Sequence, residues 1–582
     1  MKLWKSMWFV LGGIAFIGLY FAIASLQNYF QLVSLVYGGN VSAYMRWIPT
    51  QWMQAQLWKI LLLLPATFLL TVAFVRSEIQ IPFFHFRVNR KSIAAVLVVV
   101  LLLIILSVNF LFHATEITDD ELVYDFQAKT LLAGRLVNPP PPVAASFENV
   151  FLINDGHVWV GKYTLGHPFI IALGMFLGSR YTITILESLL TLLLVYFIAD
   201  ELYQNKKLAF TALLLGALSP FFYFMSSTRL SHTTEAFCLA LFFYLFLRAR
   251  RTEALSWRFL LLLLAGFSAG YAFNVRSLTA LGFLLPFAVV VVVRDIWKSP
   301  AKGIKDSLPL IIGFATVVAV TLWYNYLVTG NMLDFPFLYY SNVETVGFGT
   351  YGHTPMFGIQ NFLVLCFRLN AALFGLPISL LFVFLFSFAD KKFGDRLLLG
   401  ILAGVAGSYY FYYSPGVSDI GPVYYYELII PLFLLSARGI FYVKDVLAKH
   451  SEHAAKYVTT FFAISFLLAF VTYVPERMMH LARLTNNIRE PYGAVQNANI
   501  HQALVLIQSY VPTGWVDGFR NPSPKFNDDI IFCQYADSVS NQKVVRYFHD
   551  RRPFILKYDT TQYHFVVEPL DTSISMLKGI QK

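Results

Sequence analysis

The sequence SIAAVLVVVLLLIILSVNFLF (92–112), followed by ATEITDDELVYDFQAKTLLAGRL (114–136), decides the class of fold. The first segment is predominantly apolar and long enough to cross a bilayer, which takes about 20 such residues. The second segment soon presents three consecutive carboxylates, Asp119, Asp120 and Glu121. Carboxylates at the mouth of a hydrophobic bundle are costly to desolvate, so their position directly after a membrane span indicates a functional site.

Composition places the whole chain in the membrane class. Of its 582 residues, 57% are hydrophobic and only 13% are charged, whereas soluble proteins average about a quarter charged residues. The net charge of +11 lies mainly in short loops between apolar runs, such as 87–91 and 248–251. That placement is typical of cytoplasmic loops and not of a nucleic-acid groove. Cys238, Cys366 and Cys533 predict no intramolecular disulfide.

Apolar runs and the Lys/Arg bias together predict an all-α membrane protein of about thirteen spans, with its N-terminus inside and its C-terminus outside. The predicted spans lie near 8–25, 57–75, 92–112, 181–202, 208–225, 233–247, 258–275, 278–293, 308–328, 373–388, 397–413, 424–441 and 457–474. The first run is also compatible with a signal peptide, although the next basic loop would then lie on the wrong side. This path makes the acidic loop external.

Three regions follow from this pattern. Residues 1–91 are predicted to form an N-terminal transmembrane hairpin extension, 92–475 a transmembrane core with external loop 114–166, and 476–582 a small external domain. In the last region, β-rich runs surround a helical stretch at 540–550, which is typical of a small α/β domain. Those runs lie at 503–509, 529–536, 553–559 and 564–570.

The acids suit general-base activation of a hydroxyl or binding of a divalent metal, but acids at a helix start also serve as caps. Lys162 and Tyr163 would return a cation and a phenol to the same surface. Arg229 and Arg276 suit a lipid phosphate through their planar donor forks, or else anchor their segments at the interface.

Three further polar side chains carry similar alternatives. His232 would either belong to the same external cluster as Arg229 or cap its helix, and His353 fits an ordinary loop residue as well as a site. Glu427 lies one turn inside a late span, where a carboxylate requires a partner or a cavity.

The motifs resemble those of the GT-C glycosyltransferases, which are polytopic enzymes that take sugar from a polyprenyl-phosphate carrier. The chain is most similar to the bacterial glycosyltransferase 39 and ArnT-like (RgtA/B/C/D-like) group. Matching segments occur in consistent order over roughly residues 92–440: DDELVYDFQAKTLLAGRLVNPPPP (119–142), GKYTLGHP (161–168), RLSHTTE (229–235), NVRSLTALGFLLP (274–286), TGNMLDFPF (329–337), GFGTYGHTP (347–355), LFGLP (373–377) and GPVYYYELIIP (421–431).

The resemblance implies a bacterial cell-membrane enzyme that transfers a hexosyl or pentosyl group from a polyprenyl phosphate to a lipid, glycan or protein acceptor outside. It implies Asp120 as general base, with Glu121 and Asp119 orienting the acceptor or the loop. The implied donor-phosphate residues are Lys162, Arg229, Arg276, Tyr163 and His232, and the implied acceptor or support residues are Tyr124, His353, Tyr424 and Glu427. No obligatory metal is expected, although a divalent ion is compatible with the acids, and no nucleic acid is expected as a partner.

Two other classes remain open. A non-catalytic lipid or glycan transporter, or an envelope-assembly protein, should place ionisable residues near mid-bilayer and break its helices in paired positions. A GT-C-like fold with a degenerate site would leave the C-terminal domain as the functional part. The charged candidates gather at one predicted face, which favours an interfacial enzyme.

Overall fold

The computed structural model describes residues 7–20, 41–77, 88–341, 344–376, 378–416, 418–450, 453–508 and 516–570. The first predicted span beyond Tyr20, and the last residue of the 503–509 run, lie outside the described residues. Helices dominate, because a helix satisfies its own backbone hydrogen bonds and is therefore stable in lipid. They are α1 (Met7–Tyr20), α2 (Val41–Arg76), α3 (Arg90–Leu106), α4 (Asp119–Leu132), α5 (Gly166–Phe176), α6 (Thr182–Tyr203), α7 (Lys206–Ala217), α8 (Pro220–Ser226), α9 (His232–Arg251), α10 (Leu255–Val290), α11 (Pro300–Thr329), α12 (Pro336–Tyr340), α13 (Pro355–Ala372), α14 (Leu381–Phe386), α15 (Phe393–Tyr410), α16 (Ile429–Ala448), α17 (Ala454–Asn497) and α18 (Ser538–Tyr547).

Seven helices in the described part of the chain are long and apolar enough to cross a membrane, or eight if α7 and α8 form one span. This number, which counts Leu255–Ile296 as one span, is lower than the thirteen or so that hydropathy predicts. The predicted span at 373–388 is wrong, because among its described residues only the short α14 is helical, and turns precede it. The predicted span at 208–225 is bent by 61°, with Pro220 beginning its second half.

Helix α10 contains two antiparallel halves that meet at Arg276, whose backbone is not helical (φ −147°, ψ 86°). A straight helix of this length would extend about 54 Å at 1.5 Å per residue. Yet both of its ends lie beside the same end of α9, because Asp295 pairs with Arg250 at 2.6 Å and α10 starts only four residues after Arg251. The predicted hairpin between 258–275 and 278–293 is therefore confirmed, with a single residue as its turn.

The two ends of the helix bundle differ in charge. At one end the arginines of the predicted cytoplasmic loops find acidic or aromatic partners, such as Arg250 with Asp295 at 2.6 Å and Arg294 above the Phe393 ring at 4.7 Å. At the other end, where α9 begins at His232, lie α4 and the acidic loop. The Lys/Arg bias of the sequence thus separates the same two ends that the structure separates.

The C-terminal region forms the predicted α/β domain. Its sheet has the order β4-β3-β5-β6, in which β3 (Ala503–Ile507) lies parallel to β4 (Ile530–Gln534) and β5 (Arg552–Asp559), while β6 (His564–Pro569) is antiparallel to β5. All four predicted β-rich runs become strands, and the predicted helical stretch becomes α18. The predicted boundary at 475/476 falls inside α17, which continues from the bundle into this domain.

The domain shares a core with the acidic loop. One face of the sheet, including Leu504 and Leu506, packs with Trp159 and Phe548 in a single cluster. Trp159 belongs to β2 (Trp159–Gly161), which pairs with β1 (Leu152–Asn154) inside loop 114–166. The C-terminal domain is therefore packed against the loop that carries the acids.

This shared core predicts that shortening a buried side chain of the C-terminal domain weakens the attachment of the domain, whereas shortening an exposed one does not. Phe548 is 5% exposed, and the centre of its ring lies 5.3 Å from that of Phe526. Phe548→Ala should therefore lower the free energy of unfolding of the domain by about 3 kcal/mol. Limited proteolysis should then release the C-terminal domain faster. The neighbouring Tyr547 is 58% exposed, and Tyr547→Ala should leave the cleavage rate nearly unchanged. Equal cleavage rates for the two variants would contradict the packing described here.

Candidate active site

The first turn of α4 directs its three acids to three different places. Thr118 caps this helix, its Oγ1 accepting from the backbone N–H of Glu121 at 3.4 Å. Successive residues of a helix point about 100° apart, so adjacent acids cannot share one environment. Asp119 is 6% exposed and Glu121 is fully buried, whereas Asp120 is only partly buried. Asp120 is therefore the accessible carboxylate of the three.

Glu121 joins α4 to the bundle. Its Oε1 accepts from the backbone N–H of Arg229 at 2.7 Å, and its Oε2 accepts from the backbone N–H of Ile117 at 2.7 Å. Both carboxylate oxygens are thus occupied by peptide groups, one from its own helix start and one from the segment before α9. This position gives Glu121 a structural part, which corresponds to the second of its two predicted roles, orientation of the loop and not of an acceptor.

Arg229 is enclosed by acids and has no exposed surface. Its Nη2 lies 3.1 Å from Glu116, its Nε lies 3.3 Å from Asp125, and its Nη1 donates to the Tyr181 hydroxyl. Burial of two ionised carboxylates is costly unless a cation neutralises them, and Arg229 meets that need. The prediction that Arg229 holds a donor phosphate is corrected on this ground, because its donors already face protein acceptors.

Two more arginines surround the same acids. Arg180 lies 2.9 Å from Glu116 and 2.5 Å from Asp125, and Arg520 lies 3.1 Å from Glu116. Burial by itself raises the pKa of Glu116, but the guanidinium groups of Arg229, Arg520 and Arg180 lower that pKa well below its ordinary value. Glu116 is consequently ionised, and the whole cluster holds α4 in place.

Asp119 is bound by the C-terminal domain. Its Oδ1 accepts from the backbone N–H groups of Asp517 at 3.0 Å and Gly518 at 2.8 Å, and its Oδ2 also lies 3.0 Å from the first of them. Burial raises the pKa of Asp119 to about 6, although these two N–H groups lower it. Asp119 is therefore an attachment point for another domain.

Asp120 begins a continuous row of polar side chains. The Tyr163 hydroxyl donates to Asp120, and the Tyr163 ring lies 4.8 Å from the Tyr124 ring. The Tyr124 hydroxyl donates to Ser231 Oγ at 3.1 Å, and Arg276 Nη1 donates to Ser231 Oγ as well, at 3.3 Å. Burial and the Asp120 carboxylate raise the pKa of Tyr163 well above its ordinary value, so Tyr163 remains a donor. We call these five residues the acid–arginine row.

Arg276, at the far end of this row, keeps part of its side chain accessible. It lies 3.4 Å from Glu235, donates to the Tyr409 hydroxyl at 3.4 Å and stands above the Tyr424 ring at 5.1 Å. The break in α10 places this guanidinium at the hairpin turn, beside the start of α9. Unlike Arg229, Arg276 is not enclosed, and its side chain is 20% exposed.

Lys162 also lies close to Tyr163. Its ammonium is 5.5 Å from the Tyr163 ring centroid and 3.6 Å from that of Phe151, and it pairs with Glu344 at 3.0 Å. Glu344 lies between α12 and α13. An anion that binds Lys162 would therefore have to replace this carboxylate.

The remaining predicted residues contact other protein groups around the site. His232 and Glu427 are both buried and lie 2.7 Å apart, which supplies the partner that Glu427 requires. Tyr424 stacks on Tyr409 at 4.7 Å, close to Arg276. His353 binds the Tyr410 carbonyl at 3.0 Å through Nε2, and no described contact joins it to the acid–arginine row.

Several site residues were missed by inspection of the sequence. Asp125 follows Glu121 by four residues, so the helical period alone could have placed both acids on one face. Glu116, Arg180 and Glu344 carry no such signal, because their partners come from distant segments. A metal site is not formed among the described residues, where no group of three or more His, Cys, Asp or Glu side chains could hold an ion. The absence of an obligatory metal stays a prediction.

Comparison with known proteins supplies the class. Residues 163–324 match a family described as dolichyl-phosphate-mannose-protein mannosyltransferase. The crystal structure of ArnT from Cupriavidus metallidurans bound to undecaprenyl phosphate aligns over 85% of this chain and 100% of its own, with a TM-score of 0.52 and 11% identity. No curated protein sequence matches.

Two other solved structures show weaker similarity. The archaeal oligosaccharyltransferase AglB from Archaeoglobus fulgidus has a TM-score of 0.39 and 12% identity, over 83% of this chain and 75% of its own. The arabinosyltransferase EmbB from Mycobacterium smegmatis has a TM-score of 0.37 and 12% identity, over 74% of this chain and 42% of its own.

The class of protein is therefore an integral membrane protein with the GT-C fold and a small C-terminal sheet domain. The resemblance to the GT-C, ArnT-like group that the motifs predict is confirmed by the ArnT-like fold and by the family match.

The enclosed position of Arg229 predicts a loss of folding and not of ligand binding alone. Arg229→Met would leave Glu116 and Asp125 buried without their main cation, which should cost about 3–5 kcal/mol. Thermal unfolding in detergent should then occur at a clearly lower temperature. Arg248→Met is the matched control, since Arg248 is paired but 53% exposed. A normally stable Arg229→Met that loses only lipid-phosphate binding would restore the predicted phosphate role.

Proposed function

We propose that this protein is a membrane glycosyltransferase that moves a sugar from a polyprenyl-phosphate donor to an acceptor hydroxyl of the cell envelope. The observation that carries this proposal is the acid–arginine row. This row joins the accessible carboxylate of Asp120 to the partly exposed Arg276 through the side chains of Tyr163, Tyr124 and Ser231. A base and a cation at opposite ends of one site suit a displacement whose leaving group is a phosphate.

Asp120 is the general base of the proposed reaction. The acceptor hydroxyl attacks C1 of the sugar, its proton passes to the Asp120 carboxylate, and the bond from C1 to the phosphate oxygen breaks with inversion. The polyprenyl phosphate leaves with the electrons of that bond. Tyr163 donates to Asp120 and so directs the carboxylate, a function that suits a base needing one fixed orientation.

Arg276 and Lys162 are the proposed donor-phosphate ligands, with Tyr424 beside Arg276. Lys162 lies 5.5 Å from the centre of the Tyr163 ring, and Arg276 lies further along the acid–arginine row. Each carries a positive charge that suits a group on which negative charge develops. Lys162 would exchange Glu344 for the phosphate. Because a phosphate departs readily when cations are near, these side chains can supply the stabilisation without a resident metal.

Similarity supports the donor class. The ArnT structure that shares this fold binds undecaprenyl phosphate, and the matching family is described by a dolichyl-phosphate donor. Both carriers are polyprenyl phosphates. The basic residues at the opposite end of the bundle support an external site by the positive-inside rule, in a bacterial cell membrane with the C-terminal domain also outside. The transferred group is proposed to be a hexose or a pentose.

Replacement of the base tests the reaction. Asp120→Asn keeps the size of the side chain but cannot take a proton, so sugar transfer should fall about 10²- to 10⁴-fold. Purified protein assayed with a polyprenyl-phosphate sugar and membrane acceptors would measure this, with thermal unfolding as the check on folding. Asp550→Asn, on the exposed surface of the C-terminal domain, should remain fully active. Full activity of Asp120→Asn would refute the proposal.

Replacement of the arginine tests donor binding. Arg276→Gln removes a charged hydrogen bond worth about 1.5–3 kcal/mol, so the Kd for a polyprenyl phosphate should rise about 10- to 100-fold. Arg276→Lys, which keeps the charge, should lose less. Native mass spectrometry in detergent would report the affinity, and Arg546→Gln on the exposed face of α18 is the control. Unchanged affinity in folded Arg276→Gln would exclude Arg276 as a ligand.

Surface glycans of a deletion strain separate the proposal from its alternatives. Loss of one sugar residue supports a transferase. Accumulation of a complete precursor inside the cell supports a transporter, and unchanged glycans support a GT-C fold without activity.

A further inference from the structure

A short segment of the C-terminal domain contacts the helix that carries the proposed base. This segment, residues 516–521, is called the clamp here. Two of its backbone N–H groups, those of Asp517 and Gly518, bind the Asp119 carboxylate at 2.8–3.0 Å. Asp119 immediately precedes Asp120 in the first turn of α4. The clamp therefore reaches within one residue of the proposed base, whose own carboxylate accepts from Tyr163 and not from the clamp.

The clamp holds α4 at more than one point. The side-chain amide of Asn521 donates to the Leu122 carbonyl at 3.4 Å. The backbone carbonyl of Asn521 accepts from Lys129 Nζ at 3.1 Å. Asn149, from the loop after α4, donates to the Phe519 carbonyl and to Asn521 Oδ1, both at 2.7 Å. These contacts extend along the helix, so they restrain its direction as well as its first turn.

Arg520 fixes the clamp itself. Its Nε lies 3.1 Å from Glu116, its guanidinium lies 4.2 Å from the centre of the Tyr492 ring, and its backbone N–H donates to the Tyr492 hydroxyl at 3.0 Å. Tyr492 belongs to α17, which connects the bundle to the sheet domain. The clamp is thus tied to the bundle through α17 and to the ion cluster around Arg229 through Glu116.

The approach between clamp and helix leaves no room for a side chain at position 518. A Cβ on Gly518 would lie 2.6 Å from Asn149 Oδ1 and 3.2 Å from Asp119 Oδ1. Contacts as short as the first do not occur without movement of one partner. Glycine therefore permits both N–H groups to reach the carboxylate at hydrogen-bond distance.

We propose that the clamp is a positioning element of the active site, which holds Asp120 in place by binding Asp119 from outside the membrane bundle. Glu121 anchors the same turn to the bundle on its other side, and the residue between them is then fixed in direction. Helix ends lose order easily when their groups are not bound. This inference rests on the proposed function of Asp120, and it assigns the C-terminal domain a part in catalysis.

The Asp119 side chain offers a graded test. Asp119→Ala removes both acceptors, and a displacement of the base by about 1 Å can cost about 10²-fold in rate, so kcat should fall 10- to 100-fold with the donor KM nearly unchanged. Asp119→Asn should recover part of the activity, because Oδ1 can still accept from both N–H groups, whereas Oδ2, which also lies 3.0 Å from the Asp517 N–H, is lost as an acceptor. Gly518→Ala should resemble Asp119→Ala, and Asp550→Asn is the control. Thermal unfolding and limited proteolysis of the full-length protein confirm that each variant is folded.

A double-mutant cycle distinguishes positioning from general loss of structure. If Asp119 acts through Asp120, adding Asp119→Ala to Asp120→Asn should not lower the residual single-turnover rate further. An equal further loss in the double variant would overturn the proposal. Wild-type kcat in Asp119→Ala and Gly518→Ala, with Asp120→Asn inactive, would overturn the clamp alone. Full activity of Asp120→Asn would instead overturn the proposed function.

Discussion

Neutralisation of buried acids by Arg229 is the interaction on which the rest of this structure depends. Glu116 and Asp125 lie at the mouth of an apolar bundle, where an unpaired carboxylate would be costly. Because Arg229 stands just before α9 and the acids bracket the start of α4, their pairing joins the acidic loop to the membrane helices. This attachment in turn sets the positions of the three acids in the first turn of α4, Asp119, Asp120 and Glu121.

Three neighbouring acids therefore take three separate parts. Glu121 binds the backbone beside Arg229, Asp119 binds the C-terminal domain, and Asp120 faces Tyr163 at the open side. Their sequence alone makes them appear equivalent. The helical turn of about 100° per residue makes them different, since each must find a partner in another direction. A site built in this way needs both the bundle and the C-terminal domain.

Much of the fold could be predicted from local pattern. Apolar length and basic loops predict the membrane helices and the α10 hairpin, and alternating β-rich runs predict all four strands of the C-terminal sheet. Prediction failed at 373–388, where an apolar run has the composition of a span but its helix, α14, covers only Leu381–Phe386. Hydropathy reports that a segment avoids water. It does not report whether the segment packs as one straight helix.

The sequence by itself determined the class of protein and the accessible loop that carries the acids, because periodicity, apolar length and charge bias are local properties of a chain. Only the tertiary structure decided which charged residue does what. Arg229 and Arg276 look alike as single cations after apolar runs, yet one is enclosed by carboxylates and the other remains partly exposed. Their surroundings come from segments far apart in the chain, and burial and pairing energies depend on those surroundings and not on the neighbouring letters.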